Sequence, residues 1–281
     1  MAVVLDGKEV ARKIRQNLKE EVSKLKEEGI SPKLAVIMVG DDSASKIYVR
    51  NKSIACNEIG IEYEEYLLSE ETTMKELLSL IDKLNNDKTI NGILLQSPIP
   101  KKLDINEAFK AIDPIKDVDG FNPMNVGKLC LGQDAFISCT PYGVIKILED
   151  YNIEIEGKNA VIIGRSNIVG KPMLQCLLNK NATVTVCHSR TKNLAEITKM
   201  ADILVVAIGR SKFVTKDMVK DGAVVVDVGI NRGEDGKLCG DVDFEEVSKV
   251  ASYITPVPGG VGPMTIAMLM NNIVKATKLQ N

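Results

Sequence analysis

Four short apolar runs, rich in β-branched residues, dominate the second half of this 281-residue chain. They are separated by helical or polar stretches, and they read "NAVIIG", "ATVTVC", "DILVVAIG" and "AVVVDVG". Strands that are apolar throughout and alternate with helices are typical of a parallel sheet covered by helices on both faces. The pattern therefore predicts an α/β fold with a parallel sheet in this half.

The first half shows the same alternation. A helix with apolar residues at every third or fourth position is expected to end at Gly29, and "LAVIMVG" follows as a buried strand. Further strands are predicted at "IEYEEYLL" and "NGILLQ", with an amphipathic helix between them. Residues 118–141 lack a strong period and are rich in Gly, Pro and Asn, which indicates a link or hinge between two α/β halves.

Composition excludes several classes of protein. The formal charge of −2, from 36 basic and 38 acidic residues, argues against a nucleic-acid binder, as does an aromatic content of 4%. No apolar run approaches the roughly 20 residues that span a bilayer, and no signal peptide is recognisable at the N-terminus. We therefore expect a soluble, cytoplasmic protein.

The cysteine and histidine content limits the kinds of metal site and catalytic group that the chain can contain. The cysteines form no C-x-x-C pair, and His188 is the one histidine, which excludes multi-histidine metal sites. We expect no metal centre. A general acid or base is therefore expected to be Lys, Asp, Glu or Tyr.

Tyr48 and Lys52 lie in the stretch "SASKIYVRNKSIA", four residues apart. If this stretch is a helix, the phenol and the amine share one face, one turn apart. An aliphatic pair or a Glu–Lys pair would be the ordinary choice there. The pairing raises the question of a catalytic role.

A glycine turn follows the first strand of the second half. Gly164 and Gly170 bracket the sequence G-R-S-N-I-V-G, in which Ser166 stands where a dinucleotide-binding motif has its second glycine. Such a turn can aim the N–H groups of a helix at a phosphate, but a plain connection between a strand and a helix has the same form. Both interpretations stay open on this feature alone.

The end of the next strand favours NADP over NAD. It reads Cys187-His188-Ser189-Arg190 and carries no acidic residue. A carboxylate at this position would bind the ribose hydroxyls of NAD, whereas Ser189 and Arg190, with Arg165 from the glycine turn, suit a 2′-phosphate. For His188 we prefer a structural role in the loop to a catalytic one.

Three other segments are candidates for substrate binding. "TPVPGGVGPMT", residues 255–265, is stiff and exposes backbone donors, although a domain hinge would look similar. Asp117 and Asp119 suit either an amidine-like ligand or turn chemistry. Gln96 ends a strand just before two prolines, as residues of α/β sites often do.

These motifs together resemble one family. The segments are "GDDSAS", "YVRNK", "LLQSPIP", "KDVDGFNPMNVGKL", "CTPYGV", "GRSNIVGKP", "CHSRT", "VDVGIN" and "PVPGGVGPMT". In this order, and over essentially the whole chain, they are similar to the bifunctional methylenetetrahydrofolate dehydrogenase/methenyltetrahydrofolate cyclohydrolases. The resemblance implies NADP-dependent oxidation of 5,10-methylenetetrahydrofolate, followed by hydrolysis of the methenyl product to 10-formyltetrahydrofolate.

The resemblance also implies roles for individual residues. Lys52 would be the general acid/base of the cyclohydrolase step, Gln96 would hydrogen-bond and tune it, and Tyr48 would pack on the folate. Asp119 would bind the amino-pyrimidine edge of the pterin. The resemblance also implies that NADP would be contacted by Gly164, Arg165, Ser166, Ser189 and Ile230. Folate would be contacted by Pro258, Gly259 and Gly260.

We accordingly expect two α/β domains with an active-site cleft between them. Residues 1–120 would form the catalytic, folate-binding domain, and residues 121–281 a Rossmann-like NADP-binding domain. The last helix, about residues 263–279, would pack back on the first domain, and the resemblance implies a homodimer. Two alternatives are a dehydrogenase without cyclohydrolase activity, which Lys52 and Gln96 disfavour, and a non-catalytic nucleotide-binding regulator.

Overall fold

The structure is a computed structural model that describes residues 1–233 and 236–281, apart from the side chain of Ala44. Helices and strands alternate over much of the described chain, as predicted, except that three helices follow one another at residues 105–150 and three strands at residues 224–239. The strands are β1 (Val3–Val4), β2 (Lys33–Val39), β3 (Glu62–Leu68), β4 (Gly92–Leu95), β5 (Asn159–Ile163), β6 (Thr183–Cys187), β7 (Ile203–Val206), β8 (Val224–Asp227), β9 (Asn231–Arg232), β10 (Leu238–Cys239) and β11 (Tyr253–Ile254). The α-helices are α1 (Gly7–Glu27), α2 (Ser43–Ile59), α3 (Met74–Asn86), α4 (Ile105–Ala111), α5 (Pro123–Cys130), α6 (Cys139–Asp150), α7 (Gly170–Leu178), α8 (Leu194–Thr198), α9 (Phe244–Val247) and α10 (Val261–Gln280). Within the described ranges, no helix is both long and apolar enough to cross a membrane.

The chain forms two compact units, each built from two separate stretches. We call Met1–Arg12 with Ser138–Thr265 the six-stranded unit, and Lys13–Ile137 with Ile266–Asn281 the three-stranded unit, after the largest sheet in each. The chain therefore changes unit near residues 12, 137 and 265, whereas the sequence predicted one boundary near residue 120.

The six-stranded unit contains the predicted parallel sheet, in the order β1-β11-β8-β7-β5-β6. The four apolar runs form β5 to β8, and every residue of β7 and β8 is buried. Both faces of these central strands are covered, which explains their continuous apolar sequences. The prediction of the α/β fold class is confirmed.

Two strands of this sheet were not predicted. Strands β1 and β11 have two residues each, and they extend the sheet beyond β8. A two-residue strand is too short to show any alternation.

The three-stranded unit has a parallel sheet in the order β3-β2-β4. The central strand β2 is buried along almost its whole length, whereas the edge strand β3 exposes Glu62 and Glu65. Charged residues on an edge strand such as β3 oppose pairing with another chain.

Helix α3 begins with a capping box, in which Thr73 and Glu76 satisfy each other's backbone N–H groups.

The segment expected to be a link contains the change of unit at residue 137, and it also contains helix α5, which was not predicted. Asn122 accepts a hydrogen bond from Met124 N, and Pro123 occupies the first helical position. An Asn–Pro start is a recognised helix signal, and the high Gly and Asn content concealed it. Hydrogen bonds from Asn122 N and from Asn125 Nδ2 to the Asp117 carboxylate tie α5 to the three-stranded unit.

The last helix has its C-terminal part in the three-stranded unit. Asn272 Nδ2 donates hydrogen bonds to the carbonyl oxygens of Val118 and Ile137, at 2.8 and 3.0 Å. Near the end of the helix, Gln280 Nε2 donates to Asn91 O at 2.8 Å. These bonds explain why residues from Ile266 onward belong to the same unit as strands β2 to β4.

Candidate active site

Helix α2 holds Tyr48 and Lys52 on one face, as their spacing predicts. Asp42 caps the start of the helix, where its side chain accepts a hydrogen bond from Ser45 N at 2.7 Å. Gly60 caps the end of the helix in a left-handed conformation, with φ 88°. Tyr48 is 44% exposed, and Lys52 is half-buried. The phenol is therefore open to a ligand, while the amine is partly withdrawn from water.

Gln96 meets Lys52 from the end of strand β4. Lys52 Nζ donates a hydrogen bond to Gln96 Oε1 at 2.9 Å, and Gln96 Nε2 donates to Ser97 O at 2.6 Å. Gln96 itself is buried, with 8% of its surface exposed. Because the amide nitrogen is committed to a carbonyl, the oxygen faces the lysine. The site thus offers a neutral acceptor to the amine, where a carboxylate would stabilise the charged form.

Asp117 and Asp119 lie in different environments. Asp117 is 2% exposed, and its carboxylate accepts hydrogen bonds from Phe121 N, Asn122 N and Asn125 Nδ2. Burial raises the pKa of Asp117 to about 6, and these hydrogen bonds oppose that rise. Asp119 is half-buried, next to Gly120 with φ 72°. Asp117 therefore has a structural role at the start of α5, and the folate-binding role of Asp119 stays a prediction.

The residues predicted to contact NADP follow neighbouring strands of the six-stranded sheet. Because the strands are parallel, their carboxyl ends lie at one edge, which is where ligands bind in open α/β sheets. Ser189 and Arg190 follow β6, Gly164, Arg165 and Ser166 follow its neighbour β5, and Ile230 follows β8, beyond β7. The residues predicted to contact folate, Pro258, Gly259 and Gly260, follow β11 at the same edge.

The turn after β5 requires its two glycines. A Cβ atom on Gly164, which has φ 128°, would lie 2.3 Å from Ala207 O, and one on Gly170 would lie 2.3 Å from Gly164 O. Ser166 takes the place of the second glycine of the usual motif. Its Oγ accepts hydrogen bonds from Val169 N and Gly170 N at 3.2 and 3.4 Å, which supports the start of α7. Arg165 and Ser166 are exposed beside this close-packed turn. The turn therefore has the tight backbone and open surface that a dinucleotide phosphate requires.

The loop after β6 gives His188 a structural role. Its Nδ1 accepts a hydrogen bond from Arg190 N at 3.1 Å, and its backbone N–H donates to Thr191 Oγ1 at 2.9 Å. The turn leaves Ser189 and Arg190 exposed. The preference for a structural histidine is supported, and the loop presents a hydroxyl and a guanidinium with no acidic residue.

The glycine-rich loop after β11 is anchored to the start of helix α1. Lys8 N donates a hydrogen bond to Gly259 O at 3.1 Å, and a Cβ atom on Gly7 would lie 1.8 Å from Gly260 O. Gly259 has φ 112°. This contact holds Pro258, which is exposed, in a fixed backbone, as expected of a recognition loop.

Two buried carboxylates at the same sheet edge were missed from the sequence. Asp227 ends strand β8 and is 3% exposed, and Asp241 follows β10 and is fully buried. An acid inside the apolar run "AVVVDVG" was the available signal, because a buried charge requires partners. The described residues contain no group of three or more His, Cys, Asp or Glu side chains that could hold a metal ion.

Comparison with known proteins assigns the chain to a family. The model of the tetrahydrofolate dehydrogenase/cyclohydrolase catalytic domain matches residues 5–119, and that of the NAD(P)-binding domain of the same family matches residues 138–281. The chain belongs to the tetrahydrofolate dehydrogenase/cyclohydrolase family. The resemblance inferred from the motifs is thereby confirmed.

Individual members of the tetrahydrofolate dehydrogenase/cyclohydrolase family match over the full length. The bifunctional protein FolD of Halalkalibacterium halodurans is 59% identical over 277 residues, 99% of each chain. The crystal structure of the bifunctional FolD from Campylobacter jejuni has a TM-score of 0.99 at 54% identity and covers 100% of both chains. The FolD structure from Trypanosoma brucei, complexed with NADP cofactor and inhibitor, has a TM-score of 0.94 at 38% identity, covering 99% of this chain and 98% of its own.

Proposed function

We infer that this protein is a bifunctional, NADP-dependent enzyme of reduced-folate metabolism. It oxidises 5,10-methylenetetrahydrofolate to the methenyl compound and hydrolyses that compound to 10-formyltetrahydrofolate. The full-length family match supports the dehydrogenase step. The observation that carries the hydrolytic step is the hydrogen bond from Lys52 to Gln96. A dehydrogenase without hydrolytic activity has no need of this pair.

The dehydrogenase step depends on positioning. A bound NADP would supply the hydride acceptor for oxidation of the methylene carbon of the substrate, and the product would be a resonance-stabilised methenyl cation. The step requires no acid or base, so the protein contributes by holding both reactants in a reactive geometry. We propose that Gly164, Arg165, Ser166 and Ile230 hold the dinucleotide.

The choice of NADP rests on charge. Ser189 and Arg190 are exposed at the end of β6, where Arg165 can add a second guanidinium. Guanidinium groups and hydroxyls bind phosphates through charge-assisted hydrogen bonds, whereas NAD-specific folds place an acid at this position. The NADP complex of the trypanosomal relative agrees with this choice.

The cyclohydrolase step depends on Lys52. Water attacks the methenyl carbon and loses both of its protons as the formyl C=O forms, while the bond from that carbon to one ring nitrogen breaks. The nitrogen gains one proton, and the other is released to solvent together with the positive charge of the substrate. We propose that Lys52 in its neutral form takes the first proton and returns one to the leaving nitrogen. A lysine ordinarily has a pKa near 10.4, so this role requires a lowered pKa, which a cleft and a cationic substrate both promote.

The remaining site residues bind the folate. Tyr48 packs on the substrate, and the Asp119 carboxylate accepts hydrogen bonds from the amino-pyrimidine edge of the pterin. Pro258, Gly259 and Gly260 form the other folate-contacting segment. We further propose that the enzyme is a cytoplasmic homodimer and that it supplies formyl groups for purine biosynthesis.

The test is a coupled assay with purified protein, 5,10-methylenetetrahydrofolate, and either NADP or NAD. Reduced cofactor, methenyl product and formyl product are followed together. We expect NADPH formation with prompt conversion to 10-formyltetrahydrofolate. Accumulation of methenyl product beyond its slow uncatalysed hydrolysis would leave a dehydrogenase alone. No cofactor reduction would favour the non-catalytic binding protein, and a rise in Tm with NADP and reduced folate together would then be the remaining evidence of binding.

A further inference from the structure

The loop that follows strand β7 is held by a buried carboxylate from a distant part of the chain. Asp241 Oδ2 accepts hydrogen bonds from Ile208 N and Gly209 N at 2.7 and 3.0 Å, and Oδ1 accepts one from Arg210 N at 2.8 Å. Successive backbone N–H groups of this kind form a concave site for an anion. Here the anion is supplied by the protein itself.

The same carboxylate also holds the loop after strand β8. Asn231 Nδ2 donates a hydrogen bond to Asp241 Oδ1 at 2.8 Å, and Asn231 directly follows Ile230, which is 49% exposed. Strands β7 and β8 are neighbours in the sheet, so Asp241 connects two adjacent loops at the proposed dinucleotide edge. A Cβ atom on Gly229 would lie 2.2 Å from the Asp241 carboxylate, which explains the glycine there.

The Asp227 carboxylate holds the backbone that carries Asp241 in place. Asp227 accepts hydrogen bonds from Gly229 N, Asp241 N and Val242 N, at 2.9, 3.0 and 2.8 Å. Gly240 must be a glycine, because a Cβ atom there would lie 1.8 Å from Asp227 Oδ2. The backbone that carries Asp241 is therefore itself anchored to the end of β8.

We propose that Asp241 is a positioning residue for NADP binding and for the dehydrogenase step, an inference that rests on the proposed function. Its carboxylate fixes the loop at residues 208–210 and the backbone beside Ile230. Because it occupies the N–H groups at the end of β7, it also leaves the turn after β5 as the place for the cofactor phosphates. The cyclohydrolase step uses no NADP, so it does not depend on this arrangement.

The test compares Asp241→Asn with Asp243→Asn, the same chemical change two residues along. Asp243 is half-buried, and its side chain makes no capping hydrogen bond with α9. For Asp241→Asn we expect the Kd for NADP by calorimetry and the KM for NADP to rise about tenfold or more, since hydrogen bonds to a charged group are lost. Hydrolysis of authentic methenyltetrahydrofolate should stay within about twofold, and Asp243→Asn should resemble the wild type in every assay.

Two results would overturn the proposal. One is an NADP affinity for Asp241→Asn that equals the affinity of the Asp243→Asn control. The other is a parallel loss of both activities, which would mark a general structural role. If Asp241→Asn does not fold, Asn231→Ala decides, since it removes one of the four donors: weaker NADP binding with unchanged hydrolysis supports the proposal, and unchanged NADP binding refutes it. A wild type without dehydrogenase activity would instead overturn the proposed function.

Discussion

Lys52 on helix α2 donates a hydrogen bond to Gln96 at the end of strand β4, across 44 residues of sequence. The Gln96 side chain is held in turn by its bond to Ser97 O, so the acceptor oxygen has one orientation. The amine is thus held in place by a neutral partner. A neutral amide oxygen orients Lys52 and favours its charged form less than a carboxylate would, which suits a lysine general base.

The first prediction concerns Lys52 itself. Lys52→Met should reduce cyclohydrolase turnover by about 10²–10⁴-fold or abolish it, because positioned acid–base groups contribute rate factors of this size. Formyl product is measured after adding methenyltetrahydrofolate. Hydride transfer requires no acid or base, so dehydrogenase activity should persist and shows that the variant is folded. Wild-type hydrolysis by Lys52→Met would disprove the proposed role.

The second prediction uses Gln96 to change the pKa of Lys52. Gln96→Glu places a carboxylate against the amine, which favours the charged form and should raise the pKa of Lys52. Less neutral amine is then present near pH 7, so hydrolysis should slow there and recover as the pH rises. The pH–rate profile of the hydrolysis is measured for the wild type, Gln96→Glu and Gln96→Leu. An acidic limb that does not move toward higher pH in Gln96→Glu would contradict this account.

The third prediction separates the two acidic residues of "DVDG". Asp119→Asn should weaken folate binding with a small effect on stability. Asp117→Asn should lower the free energy of unfolding by about 1–3 kcal/mol, because a buried acceptor of three hydrogen bonds is altered. Urea unfolding and the KM for folate are measured for both variants. The opposite pattern, a stable Asp117→Asn with a raised KM, would exchange the two roles.

The fourth prediction concerns selectivity for NADP. Arg190→Ala should raise the KM for NADP tenfold or more, the equivalent of about 1.4 kcal/mol or above, and should leave the KM for NAD nearly unchanged. Lys180→Ala is the control, because Lys180 precedes β6 and lies toward the opposite edge of the same sheet. A proportional rise in KM for both cofactors would show that Arg190 does not contact the 2′-phosphate.

The fifth prediction is a pH dependence of stability away from the site. Hydrogen bonds from Lys220 Nζ and Asn159 N lower the pKa of Asp202 below its ordinary value. An acid with a lowered pKa in the folded state stabilises the fold above its unfolded pKa of about 3.9 and loses that effect as the pH falls through the folded value. The free energy of unfolding of the wild type should therefore exceed that of Asp202→Asn by about 1 kcal/mol at pH 7, and the difference should shrink as the pH falls below about 3.9. Urea unfolding at several pH values tests this, and a constant difference would contradict it.

The sequence by itself determined the α/β class and the position of the glycine turn. Strands β5, β7 and β8 were recognisable because each is short, apolar and almost wholly buried, and that pattern is a local property of the chain. The edge strand β6 exposes Thr183 and Thr185 and was recognisable by its β-branched residues. The absence of an acidic residue at the end of β6 could also be read directly, since it depends only on the identity of residues 187–190. The cleft that the resemblance implies between the two domains stays a prediction.

Tertiary structure decided which polar residues work together. Gln96 and Lys52 are brought into contact by packing of α2 beside the β4 strand end, and no local pattern records that contact. The spacing of Asp117 and Asp119 does not separate their roles, whereas the structure shows that Asp117 accepts hydrogen bonds from N–H groups at the start of the α5 segment. The role of Asp241 was likewise not predicted, because the N–H groups that it accepts hydrogen bonds from lie 31 to 33 residues earlier in the chain. Periodicity reports whether a residue is buried, whereas the partner of a buried charge is set by residues far away in the chain.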